Sequence, residues 1–306
     1  MNGTRRLGAM ILAVIGFAVA GAPWLATSDV SSHHPDLALA PPSMARRVLV
    51  ERLPPSYRVL DERLPLTWLS GTLVRSADAN EPLLPLGSDS LGRDQWTRLL
   101  HGGRRSLGLT LAGLAGAVSL GSLVGLLAGA RGGWTDTVLM RLADLFIAWP
   151  ALYVVLVLRA TLPLSLPFAT LFSLMALVLA LAGWPIVARA VRAVTAVERT
   201  RESVLAAEAA GATRGWILRR HLLPAALPII ATQALLLIPA FILAEATLSF
   251  VNLGFAEPTP SWGTMLVEAA QPFTLRHAPW LLAPAGAIAL VTLGVNLVVM
   301  KAPHRA

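Results

Sequence analysis

The chain has no cysteine among its 306 residues, a single lysine, Lys301, and charged residues at only 14%. Without cysteine there is no disulfide, thiolate metal site, iron–sulfur cluster or cysteine nucleophile, so the compartment has to be read from topology rather than from redox chemistry. A phosphate-cradling loop needs a glycine-rich turn ending in Gly-Lys-Ser/Thr. Lys301 stands between Met300 and Ala302, so no such loop can be built, and any ATP-derived energy has to come from another chain. H-E-x-x-H, G-x-S-x-G and paired aspartates inside the apolar runs are also missing, and the histidines, at 33, 34, 101, 221, 277 and 304, are scattered. That disfavours a membrane-embedded acid–base enzyme. A self-sufficient secondary transporter would carry mid-membrane charges in related halves, and none is evident.

What the chain has in abundance is apolar surface: 55% hydrophobic residues and a mean hydropathy of +0.65, against roughly 45–50% apolar and about 25% charged in soluble domains. The apolar residues fall in six blocks, Leu7–Ala26, Ser106–Ala130, Met140–Leu158, Pro167–Ala188, Leu227–Leu248 and Trp280–Met300. Each is about 20 residues, enough for a helix across roughly 30 Å of hydrocarbon. The expected fold is therefore an all-α polytopic membrane protein with six transmembrane helices. Arg5, Arg6, Arg131, Arg141, Arg189, Arg192, Arg199, Arg201, Arg214, Arg219, Arg220, Lys301 and Arg305 flank these blocks on one side, leaving Arg159 and Arg276 in the two shorter loops opposite; the other ten lie between Thr27 and Arg105, in a loop longer than the roughly 60 residues over which charge sets orientation. By the positive-inside rule both termini are expected in the cytoplasm. The net charge of +8 suits anionic lipid head groups rather than nucleic acid in so apolar a chain. Arg5 and Arg6 before a run ending in Ala20-Gly21-Ala22 also have the form of a secretory signal, although the run is longer than a signal core of roughly 7–15 residues.

The expected organisation is a first helix over 1–26, an extracytoplasmic loop over 27–105, a five-helix core over 106–300 and a cytoplasmic tail over 301–306. Thr27–Asp89 is rich in proline and arginine and has no sustained period, so it reads as loop with little structure of its own. His33, His34 and Asp36 read there as solvated residues rather than a metal site, since adjacent side chains do not converge. Gly121, Gly125 and Gly129 recur every fourth residue and strip one helix face, which predicts close approach of a second helix. Asp144 lies one turn beyond Arg141, so a local ion pair at the interface is expected, with a place in the translocation path as the alternative. Glu245, with Thr247 and Ser249 nearby, either faces a wet cavity or reaches the interface. Pro150 and Pro185 should distort their helices.

Between the fourth and fifth blocks, Arg189–Leu223 is too polar for lipid. Ser203–Leu218 reads SVLAAEAAGATRGWIL: an alanine-rich helix, a break near Gly211 and a second short helix carrying Trp216 and Ile217 that closes at Arg219, Arg220 and Pro224. Ala206, Ala207 and Gly211 permit close approach of a partner, with Glu202, Glu208, Arg214 and Arg219 able to make charge-assisted bonds at the rim. The segment has the character of a docking surface; an amphipathic helix resting on lipid is the alternative.

AAEAAGAT followed by RRHLLPAALP resembles the cytoplasmic signature of binding-protein-dependent ABC importer permeases, written E-A-A, three residues, G, nine residues, I, one residue, L-P. Aligned on Gly211 and Leu223-Pro224, its alanines fall at Ala206 and Ala207, with Leu205 in place of glutamate and His221 in place of isoleucine. Those two positions are similar to the dipeptide/oligopeptide/nickel subfamily. Leu86–Leu107 (LGSDSLGRDQWTRLLHGGRRSL), Met140–Leu152 (MRLADLFIAWPAL), and AEATLSFVNLGF with PTPSWGTML within Ala244–Leu266 resemble its C-type, or second, permease subunit. The resemblance covers roughly 86–280. It implies a bacterial inner-membrane, non-enzymatic transport subunit whose coupling-helix loop, with Glu202, Leu205, Ala206, Ala207, Glu208, Gly211, Ala212, Thr213, Trp216, Arg219, Arg220 and His221, meets an ATPase. It also implies a homologous second permease, two ATPase subunits holding ATP and Mg, and an extracytoplasmic substrate-binding protein. Peptides are the expected substrate, with nickel chelates or another small solute as alternatives. The chain itself is expected to hold no cofactor and no metal.

Overall fold

The computed structural model describes residues 3–42, 83–148, 157, 167–251, 253–272 and 278–299. Among them the regular structure is helical, with one isolated bridge between Ser88 and Asp94. In chain order the helices are α1 (Gly3–Ala20), α2 (Ala22–Leu25), α3 (Gln95–Arg131), α4 (Gly133–Ala148), α5 (Phe168–Arg199), α6 (Glu202–Ala209), α7 (Arg214–Ile217), α8 (Leu223–Phe250), α9 (Trp262–Ala269) and α10 (Ala283–Val299). Among the described residues, five stretches are long and apolar enough to cross a membrane: α1, α3, α5, the run Arg214–Phe250 and Pro279–Val299. The remaining expected block, Met140–Leu158, begins inside α4, and beyond Ala148 all of it but Val157 lies outside the described residues, Pro150 included. α5 runs through Pro185 without interruption.

Over the described residues, two compact units are formed, one from 3–5, 109–245 and 295–299, the other from 6–108 and 246–294. In the first, α3 lies along α5 through a stripe of small residues. A Cβ at Gly113 would stand 2.7 Å from Leu179, at Gly121 2.6 Å from the Trp184 carbonyl, at Gly125 2.5 Å from the Ala188 carbonyl and at Gly129 2.6 Å from Thr195. Backbones this close gain dispersion contacts that no larger residue would permit. α4 packs on α5 through Ala143, Trp184 and Ala188, with the Phe146 and Trp184 rings edge-on at 5.3 Å.

In the second unit, two expectations are corrected. α3 begins at Gln95, so 95–105 is helix rather than loop, and its 37 residues extend about 55 Å, well beyond the hydrocarbon thickness. The described parts of the expected loop are also ordered by hydrogen bonds that leave no periodic trace in sequence. Ala40 N donates to Ser88 Oγ at 2.7 Å, Leu39 N to the Asp89 carbonyl at 2.9 Å, and His34 N to the Gly92 carbonyl at 3.2 Å. Thr97 Oγ1 donates to Asp94 Oδ2 at 2.6 Å, which Thr27 also reaches. α9 starts at a capping box between Ser261 and Thr264, and Trp262 Nε1 donates to the Leu99 carbonyl at 3.0 Å.

Candidate functional site

The elbow between α5 and α8 belongs wholly to the first unit. α6 ends in a Schellman turn: Ala212 N donates to the Ala207 carbonyl and Gly211 N to the Glu208 carbonyl, both at 3.0 Å, with Gly211 at φ +85°. A glycine takes that left-handed conformation without the clash a Cβ brings, which is why the break falls here. Thr213 then caps α7, its Oγ1 accepting from Trp216 N at 3.3 Å.

The second short helix does not close at Arg219, Arg220 and Pro224, as its sequence suggests. α7 passes through a π turn over Leu218–Leu222 directly into α8. Pro224 has no N–H to give to a carbonyl one turn back, and it sits in the first turn after the π segment, where that loss is tolerated. The i→i+5 turn also brings Leu222 closer to the face of Ile217 than α-helical spacing would. Val204, Ile217 and Leu222 thus form a buried knot against Ala130, Ala212 and Leu218.

That knot fixes what is left outside. Glu202, Leu205, Ala206, Glu208, Gly211, Thr213, Trp216, Arg219 and Arg220 are exposed, and Ala207, Ala212 and His221 are partly so. Leu205 and Trp216 keep about half their surface in the open, at 51% and 49%; Trp216 leans on His221 with ring centroids 5.5 Å apart. Apolar side chains among small residues and a charged rim make a surface suited to another protein.

The residues expected in the translocation path or in helix packing take different places. Asp144 pairs with Arg189 of α5 and also, at 3.8 Å, with Arg141, its expected partner. Glu245 is fully buried in α8. Gly121, Gly125 and Gly129 all face α5. Sequence reasoning missed a second α4–α5 ion pair, in which Arg192 Nε donates to both oxygens of Asp136 at 2.9 and 3.1 Å. It also missed Gly113 and Ala117, which continue the four-residue spacing toward α3's start and were the available signal.

A further polar cluster lies in the second unit. Arg93 and Arg98, 5% and 2% exposed, share Asp89 and Glu257: Arg93 Nε is 2.6 Å from Asp89, and Arg93 Nη1 and Arg98 Nη2 are each 2.7 Å from Glu257. Burial alone would raise the Glu257 carboxyl, but the charge of Arg98 and the bonds from both arginines outweigh it and hold the group below its ordinary value. Next door, burial prevails over the Thr27 and Thr97 bonds and pushes the Asp94 carboxyl up. Among the described residues no group of three His, Asp or Glu side chains is placed to hold a metal ion.

Residues 121–301, which contain the whole elbow and the α5 face of the glycine stripe, match the family described as binding-protein-dependent transport system inner membrane component. The chain belongs to this family. It is a multi-pass inner-membrane permease component, and similar proteins include several permeases of peptide transport systems. The dipeptide transport system permease protein DppC of Alkalihalophilus pseudofirmus is 36% identical over 213 residues, 69% of this chain and 67% of that protein. The oligopeptide transport system permease protein OppC of Bacillus subtilis is 35% identical over the same shares. The di/tripeptide transport system permease protein DppC of Pseudomonas aeruginosa is 31% identical over 291 residues, 95% of this chain and 83% of that protein.

Proposed function

We propose that this permease is one of two membrane subunits of an ATP-driven, binding-protein-dependent importer of di- or oligopeptides, and that the elbow Arg201–Leu222 is the socket for an ATPase subunit. The observation that carries the reading is the pairing of a buried anchor, Val204, Ile217 and Leu222, with exposed Leu205, Ala206, Gly211 and Trp216. An anchored surface transmits force, whereas an unanchored loop would absorb it. The names of the similar permeases support peptides as the substrate class.

In this reading the elbow and both termini face the cytoplasm of a bacterial cell. Two ATPase subunits bind ATP and Mg, a homologous second permease completes the pathway, and an external binding protein delivers the peptide. The chain contributes no ATP site and performs no bond chemistry. ATP-driven approach of the ATPase subunits moves the elbow as a lever, and the spans exchange outward for inward access, a two-state element biased by nucleotide. The test is peptide uptake in a strain lacking the native gene, complemented with native protein, Ala207→Asp or Gly211→Asp. Native protein restores uptake, and the variants insert at normal levels but do not support it. Normal uptake by the variants would refute the socket.

A further inference from the structure

Behind the elbow, α5 continues into α6 with almost no slack. Thr200 N donates to the Val197 carbonyl and Arg201 N to the Glu198 carbonyl, both at 3.1 Å, and Val204 N returns to the Arg201 carbonyl at 3.0 Å. Arg201 Nε also pairs with Glu198 at 3.1 Å. A push on α6 therefore arrives at the end of α5 rather than being lost in a flexible joint.

From there the route to α4 is ionic. Arg192 and Arg189 lie one turn apart on α5 and engage Asp136 and Asp144, eight residues apart on α4. The order is that of an antiparallel pair, and the Phe146–Trp184 ring contact continues it along the same seam. Two features separate Arg192–Asp136 from an incidental surface pair, and Asp144–Arg189 adds a second, more exposed tie along the same seam. Arg192 grips Asp136 with both a single nitrogen shared between two oxygens and its terminal nitrogen, the fork geometry that resists sliding. Asp136 is also only 16% exposed, so loss of its partner would leave a carboxylate poorly hydrated at the helix boundary. Apolar packing permits two helices to shift along each other, whereas two ion pairs in different turns fix their register.

We infer that Asp136–Arg192 and Asp144–Arg189 are a strut that makes α4 and α5 move as one lever when the elbow moves, so these four are positioning residues for transport. This rests on the elbow being an ATPase socket. The lack of cysteine in the chain allows a test in the assembled complex: spin labels at Val138→Cys on α4 and Val197→Cys on α5, both exposed positions. With native pairs, the label-to-label distance distribution stays narrow and the same with and without ATP trapped by vanadate. In Asp136→Asn/Asp144→Asn it broadens or shifts on trapping, and peptide taken up per ATP hydrolysed falls about fivefold or more, the scale of an ordinary coupling free energy. The swap Asp136→Arg/Arg192→Asp restores part of that ratio relative to either single change and brings the trapped and untrapped distance distributions back together, a readout that fold stability alone would not move. A nucleotide-dependent distance change with the native pairs intact, or an unchanged ratio in the double asparagine variant, would overturn the strut. If native complex takes up no peptide, the substrate assignment fails while the distance measurement still decides the strut.

Discussion

Arg93 and Arg98 lie almost wholly buried between Asp89 and Glu257, whereas Arg214, Arg219 and Arg220 stand exposed along the elbow. The same side chain serves opposite ends because the local backbone differs. In the second unit, turns at Gly87 and Gly92, both at positive φ, fold the 87–94 segment back on itself, and the loop carrying Glu257 supplies a further carboxylate to the arginines. In the elbow, the Gly211 turn and the π segment bury only three apolar residues and turn the cations outward. Enclosed arginine fixes structure; displayed arginine, flanking Leu205 and Trp216, leaves a surface for others to use.

This contrast predicts that mutations separate by region. The largest stability loss is expected for Arg98→Ala, which removes a buried cation from Glu257 while Arg93 remains on both carboxylates. About 2–3 kcal/mol, the scale of lost hydrogen bonds to a charged group, is expected in thermal unfolding of the purified chain in detergent, since Glu257 is half exposed and keeps Arg93. Gly211→Val puts a β-branched residue at φ +85° and costs about 1–2 kcal/mol, read as faster amide exchange over Ala207–Ala212 with the global unfolding transition little moved. Leu205→Asp changes stability by no more than about 0.5 kcal/mol, as for other exposed positions, yet abolishes retention of the ATPase on purification. An unfolding shift in Leu205→Asp as large as in Arg98→Ala would erase the distinction between the regions.

The smallest effect is acid sensitivity. A carboxyl held below its ordinary value, as Glu257 is, contributes stability that is present above its unfolded pKa and lost as the pH falls through the lower folded value. Loosening of 87–94, followed by limited proteolysis, is therefore expected only below about pH 4, the ordinary carboxylate range. Glu257→Gln should flatten that acid limb. Asp94, raised by burial, works the other way on acidification and blunts the change.

Features with a local period were legible before any coordinates. The apolar blocks foretold the long helices, Gly121, Gly125 and Gly129 foretold a close helix contact, and Gly211 marked the elbow's break. What was not legible depended on partners distant in sequence. Glu257 reaches Arg93 across 164 residues, and Asp144, besides the expected Arg141, takes Arg189, 45 residues away. The described parts of the loop before Gln95 looked irregular because their order resides in side-chain-to-backbone bonds to Ser88, Asp89 and Asp94, which obey no repeat. The π turn escaped notice because Leu223-Pro224 has the outward form of a helix stop.

The most direct test of the central claim is disulfide or short-linker crosslinking from Leu205→Cys in the assembled complex, with Leu236→Cys, an exposed position inside α8, as control. The account predicts a crosslink from position 205 to an ATP-hydrolysing subunit, altered in yield by nucleotide, and none from 236. A position 205 that meets only lipid, while position 236 captures the ATPase, would contradict it.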